Sequence, residues 1–263
     1  MHEIADIACN FTSDRFDNDL DEVIDRAIAN HITKFGLICS RLRDIDKLLE
    51  IYNRYSKNMF FTIGVHPHHA NEINAEYLEK LKEVINKNNP HAIGETGLDF
   101  FRNLSTYEEQ IFAFEEQIKI AIDTNKPLFL HQRDSHEDFI KILRKYSSDI
   151  SKAVVHCFTG TQSQLDDYLE LDCYIGVTGW ICDEKRNVEL RKTIKNIPLE
   201  RLMIETDCPY LIPKNLHEKP KNNRNEPCNL NHIVSEIGMI MDMEMDMDMN
   251  TCCGLYKIIK KHH

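Results

Sequence analysis

Short apolar runs rich in β-branched residues recur along the whole chain, and each is followed by a stretch whose apolar positions fall at helical spacing. Eight runs stand out: EIADIACN (3–10), KFGLICS (34–40), MFFTIGV (59–65), HAIGETG (91–97), PLFLH (127–131), KAVVHCF (152–158), CYIGVTG (173–179) and RLMIETD (201–207). Helices are predicted between them near 17–30, 43–57, 74–88, 106–125, 135–147, 162–170 and 187–196, with one more near 229–240 after the last run. Strands that alternate with helices imply parallel βαβ units, and strands without polar alternation imply cover on both faces. Eight such units predict an α/β fold, a (β/α)8 TIM barrel. An open doubly wound sheet is the alternative, but no G-x-G-x-x-G turn follows the first run. Thr106 and Glu109 have capping-box spacing at the start of the fourth helix, and Pro127 sets its end.

The length of 263 residues is close to the roughly 250 typical of such a barrel. No composition break divides residues 1–240, which are expected to form a single domain. Residues 241–263 form an atypical C-terminal segment. The stretch MIMDMEMDMDMN (239–250) alternates Met with acids and holds six of the nine methionines. Its period of two suits a half-buried strand, but its low complexity suits a solvated tail or a helix equally, and no function is assigned to it. No apolar run approaches the ~18 residues of a membrane span, and MHEIADIACN lacks the features of a secretory signal. A cytoplasmic or nuclear protein is expected, with export as the alternative.

Nine cysteines without C-x-x-C spacing, most of them inside apolar runs, read as reduced core residues. Metal binding or oxidation at the adjacent Cys252 and Cys253 is the lesser reading. The net charge of −11 argues against holding nucleic acid by bulk phosphate neutralisation, which needs a basic face. It leaves room for an enzyme that grips one or two phosphates through metal ions.

The chemistry of a (β/α)8 barrel gathers at the C-terminal ends of its strands. There the runs deliver Asn10, then His66 and His68, Glu95 with Asp99 close behind, His131, His156, and finally Glu205 and Asp207. One histidine after a strand is usually a hydrogen-bonded cap. Five runs that each deliver an imidazole or a carboxylate to one rim form a cluster too costly to bury without partners. A metal ion resolves that cost. Glu95, His131, His156 and Asp207 make a mixed nitrogen and oxygen donor set suited to a divalent ion, unlike a closed cysteine site or an all-oxygen calcium cage.

The motifs GVHPH, IGETGLDF, LHQRDSHEDF, VHCFTGT, YIGVTGWICDEKR, ETDCPYLIP and RNEP resemble, in order and spacing, those of the TatD family of metal-dependent deoxyribonucleases. That family is a branch of the amidohydrolase-like TIM barrels, and the resemblance runs from about residue 4 to residue 238. It implies metal binding by Glu95, His131, His156 and Asp207, with Asp207 also orienting or deprotonating the attacking water. Glu95 and Asp207 are then the catalytic carboxylates, and Glu95 bridges two ions when a second binds. The resemblance places His66 and Arg133 at the substrate phosphate, with Asn10, Asp99 and Arg224 beside the substrate. Glu205 and Glu226 stand behind these groups, and a loop ion pair is the competing reading for Arg224 and Glu226. Trp180 reads as either a ring against the substrate or core packing.

Two departures from the family pattern stand out. Where many relatives have D-x-H-x-H in the first strand, this chain has DIACN, with Ala8 and Asn10 at the histidine positions. An Asn carbonyl is a harder and weaker ligand than imidazole, which favours Mg²⁺ or Mn²⁺ over a tight zinc pair; one or two divalent ions per chain are expected, with Zn²⁺ as the alternative. The other departure is the Met/acid C-terminus, which bears on barrel closure and leaves the ligands untouched. The implied activity is hydrolysis of DNA, exonucleolytic from a 3′ end; the sequence leaves the oligomeric state open, with a monomer as the expectation and no membrane partner. The rivals are a small-molecule hydrolase on the same fold and a catalytically silent DNA-binding relative.

Overall fold

A computed structural model describes residues 4–183, 185, 188–220 and 222–242. Its eight strands are β1 (Ile4–Cys9), β2 (Ile32–Leu37), β3 (Met59–Ile63), β4 (Ala92–Asp99), β5 (Leu128–Arg133), β6 (Ala153–Val155), β7 (Tyr174–Val177) and β8 (Leu202–Ile204). They pair in parallel in chain order within one sheet. The barrel nearly closes where Cys9 meets Cys208 in an isolated parallel bridge and the Asn10 N–H donates to the Cys208 carbonyl at 2.8 Å. Buried Asp6 of β1 ties the same seam by accepting the Thr206 N–H at 2.9 Å.

The helices between the strands are α1 (Leu20–Ala29), α2 (Ile45–Arg54), α3 (Ala75–Asn88), α4 (Tyr107–Asp123), α5 (His136–Tyr146), α6 (Gln162–Glu170), α7 (Val188–Thr193) and α8 (Leu230–Ile240). Every expected strand and helix is present, and Thr106 and Glu109 form both halves of the capping box. The strands β6 and β8 are shorter than their apolar runs. Their ladders stop at Val155 and Ile204, and the chain then turns through left-handed φ at Cys157 and Asp207. His156 and Asp207 therefore sit just past the ladders, at the barrel mouth. Residues 243–263, including most of the Met/acid run and the Cys252–Cys253 pair, lie outside the described residues. The seven described cysteines are all unpaired thiols, five of them buried. Among the described residues no helix is long and apolar enough to cross a membrane.

Two apolar layers fill the structure. Ile7, Ala8, Ile38, Phe60, Ala92, Phe129, Val154 and Met203 form one cluster, drawn from six of the eight strands together with the residue just beyond β2, as expected for side chains that plug a barrel interior. A larger cluster joins the outward strand faces to the helices. The Phe129 ring lies 5.1 Å from the ring of His156, so the plug forms the floor beneath the strand-end groups.

The stretch HAIGETG departs from regular pairing at a functional point. Along β4 and β5, Ile93 pairs with Leu128 but Thr96 pairs with Leu130, so β4 accommodates one extra residue at Gly94–Glu95. Such a bulge re-aims a side chain, and here it sends Glu95 into the barrel mouth. Gly94 and Gly97 have φ of +147° and +145°, and a Cβ at these positions would lie 2.3 Å from the Phe129 carbonyl and 1.9 Å from that of His131. Only glycine fits this backbone.

Two buried glutamines of α4, two turns apart, hold the neighbouring loops. Gln117 accepts the Val65 N–H at 2.7 Å and donates to the Val65 carbonyl at 3.0 Å, fixing the chain just before His66. Gln110 does the same for Asp99, at 2.8 and 3.2 Å. Gln117→Leu would keep the side-chain bulk but leave both Val65 groups unpaired in the interior. It is predicted to cost about 3 kcal/mol, read as a lowered urea midpoint; an unchanged midpoint would show that the clamp is dispensable.

Candidate functional site

Glu95 is the centre of the barrel mouth. It is 6% exposed, and its Oε1 lies 2.7 Å from His156 Nε2, 2.9 Å from His131 Nδ1 and 3.4 Å from His66 Nε2. The ends of β3, β5 and β6 thus each bring an imidazole to one oxygen of a β4 residue. The second acid of the motif, Asp99, is buried and accepts from His68 Nε2 at 2.8 Å and His131 Nε2 at 3.2 Å. His131 is held between two carboxylates.

The charges are strongly coupled. Burial would raise the Glu95 pKa, but His156, His66 and His131 hold it well below the ordinary carboxylate range. Burial likewise opposes ionisation of Asp99, which the His131 and His68 hydrogen bonds outweigh. Burial disfavours charge on His156, yet Glu95 and Glu205 lift its pKa well above normal. At His131 the same opposition from burial is overcome by Asp99 and Glu95. Burial pushes Asp207 up to about 7, with Glu95 and Glu205 adding to the effect and His156 opposing it.

His66 differs from the other two imidazoles. Its Nδ1 accepts the His68 backbone N–H at 3.1 Å, so a neutral ring carries its proton on Nε2. Burial, opposed by Glu95, lowers its pKa to about 4 and keeps it neutral. His66 therefore presents an N–H donor, suited to an oxygen of a carboxylate or phosphate.

Glu205 stands behind His156. It is fully buried, accepts the Cys157 N–H at 2.5 Å, and lies 3.6 Å from His156 Nδ1. A Cβ on Gly176 would come within 2.7 Å of its Oε1, so a glycine makes the space for this carboxylate. Asn10 donates from Nδ2 to Asp207 Oδ1 at 2.9 Å and to the Cys208 carbonyl at 3.1 Å. This leaves its carbonyl oxygen as the atom it can turn toward an ion. Ala8, at the other departed position, is fully buried in the interior plug.

Arg133 lies at the exposed end of β5, its guanidinium carbon 3.8 Å from the ring centre of Phe101, which is itself 56% exposed. Arg224 has a different setting. Its terminal nitrogens bond Asp19 at 2.7 and 2.6 Å and Glu226 at 2.7 Å, over the ring of Phe16, and Glu226 also pairs with Arg26. The structure brings Arg224 and Glu226 together as a loop ion-pair network that fastens the chain after β8 to α1, the competing reading of RNEP.

Sequence reasoning missed Gln110 and Gln117, whose signal was two glutamines on the same inward stripe of α4 as Ala113, Phe114 and Ala121. It noted His68 only as a strand-end residue; its link to Asp99 depends on folding.

The donor set fits a divalent cation. Glu95 lies within hydrogen-bond distance of His131 and His156, Asp207 interacts with the charges of Glu95 and His156, and ionised carboxylates so placed need a compensating positive charge. Protonated imidazoles and a divalent ion are alternative ways to supply it, since metal binding releases ligand protons. Two buried atoms at the back of the site, His156 Nδ1 and Glu205 Oε2, have no hydrogen-bond partner; an imidazole backed by a carboxylate is the arrangement that orients metal-binding histidines.

Comparison with known proteins agrees with this geometry. The sequence matches the family model described as TatD related DNase over residues 5–252. It is 41% identical over 235 residues to the 3′-5′ ssDNA/RNA exonuclease TatD of Pantoea ananatis, covering 88% of this chain and 89% of that protein. The corresponding protein of Erwinia amylovora is 40% identical over 241 residues, covering 92% and 93%. The crystal structure of a TatD family hydrolase from Entamoeba histolytica superposes with a TM-score of 0.85 at 31% identity, covering 97% of this chain and 96% of that one. A continuous match to the family model, sequence relatives over most of their own length and a shared barrel together place this chain in the TatD related DNase family.

Proposed function

We propose that this protein is a metal-dependent nuclease that hydrolyses phosphodiester bonds from the 3′ end of a nucleic-acid strand. The observation that carries the reading is Glu95, buried at the barrel mouth with one carboxylate oxygen against three imidazoles and with Asp207 sharing its field. The 3′ polarity and the nucleic-acid substrate follow the names of the bacterial relatives. Glu95, His131, His156 and Asp207 would hold the ion. A divalent ion there would neutralise phosphate charge and acidify a nearby water.

The chain's own residues supply the rest. Asp207 accepts the water proton, and Asn10 holds its Oδ1 so that the carboxylate keeps one orientation. His66 donates from Nε2 to a phosphate oxygen, while Arg133, braced on Phe101, binds phosphate at the rim. Asp99 and Glu205 position His131 and His156. Mg²⁺ or Mn²⁺ suits the main site. A second ion would bind more weakly, because Ala8 is packed into the interior and Asn10 offers a single carbonyl oxygen.

The decisive assay follows 5′-labelled single-stranded oligonucleotides with Mg²⁺ or Mn²⁺, with and without chelator. Stepwise shortening is expected, abolished by chelator and slowed at least about 100-fold by Asp207→Asn. Intact oligonucleotides with folded protein, or faster turnover of small lactones and phosphate esters, would overturn the nuclease reading.

Glu205 offers a test independent of turnover. Glu205→Gln is expected to weaken binding of Mn²⁺ by about 10- to 100-fold in calorimetric titration, with the fold intact by circular dichroism. Unchanged affinity would remove Glu205 from any role in orienting His156.

A further inference from the structure

Beside Asp207 the loops after β1, β7 and β8 enclose a cleft of about 320 Å³, lined among others by Arg15, Trp180, Tyr210, Leu211 and Lys214. The cleft adjoins the site along the chain, since its lining residues Pro209 and Tyr210 follow Asp207 closely and the Tyr210 N–H donates to the Asp207 carbonyl at 2.9 Å. Its walls are fixed by backbone. A Cβ on Gly179 would lie 2.3 Å from the Leu211 carbonyl, so the β7 and β8 loops are in direct apposition. Arg15 fastens a third side by donating to the carbonyls of Pro209 at 3.3 Å and Asn223 at 2.6 Å.

The lining combines two kinds of surface. Trp180 packs partly against the core and also lines the cleft. Tyr210 is 54% exposed, a large ring left in solvent next to the reacting groups. Arg15 and Lys214 add two cations, against the one carboxylate of Asp183. Flat rings beside cations match a base joined to a sugar phosphate, because every base has a face that stacks while its backbone carries negative charge. The volume lies at the lower end for small-molecule sites, enough for one nucleoside unit and too small for a stacked run. The Phe101–Arg133 pair, on the β4–β5 side of the rim, stands in the open. A long strand needs an open route and its end needs only a slot.

We propose that the cleft receives the 3′-terminal nucleoside, its base packed against Tyr210 and Trp180, and so sets the scissile phosphate at the Glu95–Asp207 cluster. This rests on the nuclease reading above. Removal of the terminal base, or of the Tyr210 ring, then acts on the same contact, and the two losses are not additive.

The test uses the full chain and single-stranded oligonucleotides that end in either a normal 3′ nucleotide or an abasic 3′ sugar. For wild type the normal end is expected to have about tenfold higher kcat/KM. For Tyr210→Ala, with an unchanged melting temperature, that ratio is expected to fall to near one. Equal kcat/KM for both ends in wild type overturns the slot and leaves the nuclease standing, a result that needs no variant. A tenfold preference that persists in Tyr210→Ala also overturns it, by placing the base elsewhere. Failure of wild type to shorten either oligonucleotide with Mg²⁺ or Mn²⁺ overturns both readings.

Discussion

The structure depends on keeping one carboxylate charged inside a protein. Glu95 is buried at the mouth of the barrel, where an uncompensated charge would be strongly unfavourable. Its cost is offset by three imidazoles brought from the ends of β3, β5 and β6. The features around it serve that placement. The bulge in β4 aims the side chain, the flanking glycines let the bulged backbone pass close to β5, and the Phe129 ring packs beneath His156 as an apolar floor. Two of the strand ends are also fixed in position, that of β3 by Gln117 before His66 and that of β4 by Gln110 at Asp99. A site that must hold an ion needs donors that do not relax away from one another.

The same placement explains how a chain with a net charge of −11 can act on a polyanion. Much of the acidity is spread over the outer helices, where it is solvated and screened. At the barrel mouth the carboxylates are matched by imidazoles, and Arg133, Arg15 and Lys214 stand on the rim. Local field, set by a few fixed groups, governs what approaches the site more than the total charge does. Arg224 shows a structural use of a cation: its terminal nitrogens pair with Asp19 and Glu226 and fasten the loop after β8.

The hydrophobic pattern and the residue types at the ends of the apolar runs determined the eight strands, the eight helices and the strand-end groups that gather around Glu95. Both are local signals: the period of side chains along a strand or helix, and the abrupt change from apolar to ionisable where a strand leaves the core. Which groups meet was decided only by the tertiary structure. That His131 lies between Glu95 and Asp99, that Asn10 holds Asp207, that Arg224 pairs with α1 and that α4 clamps two loops with glutamines all depend on distances between residues tens to hundreds of positions apart. Those distances are set by the register of the strands, by a single extra residue in β4 and by closure of the barrel between β1 and β8. A sequence pattern repeats along one element and carries no measure of the separation between two; packing the elements into a barrel supplies it.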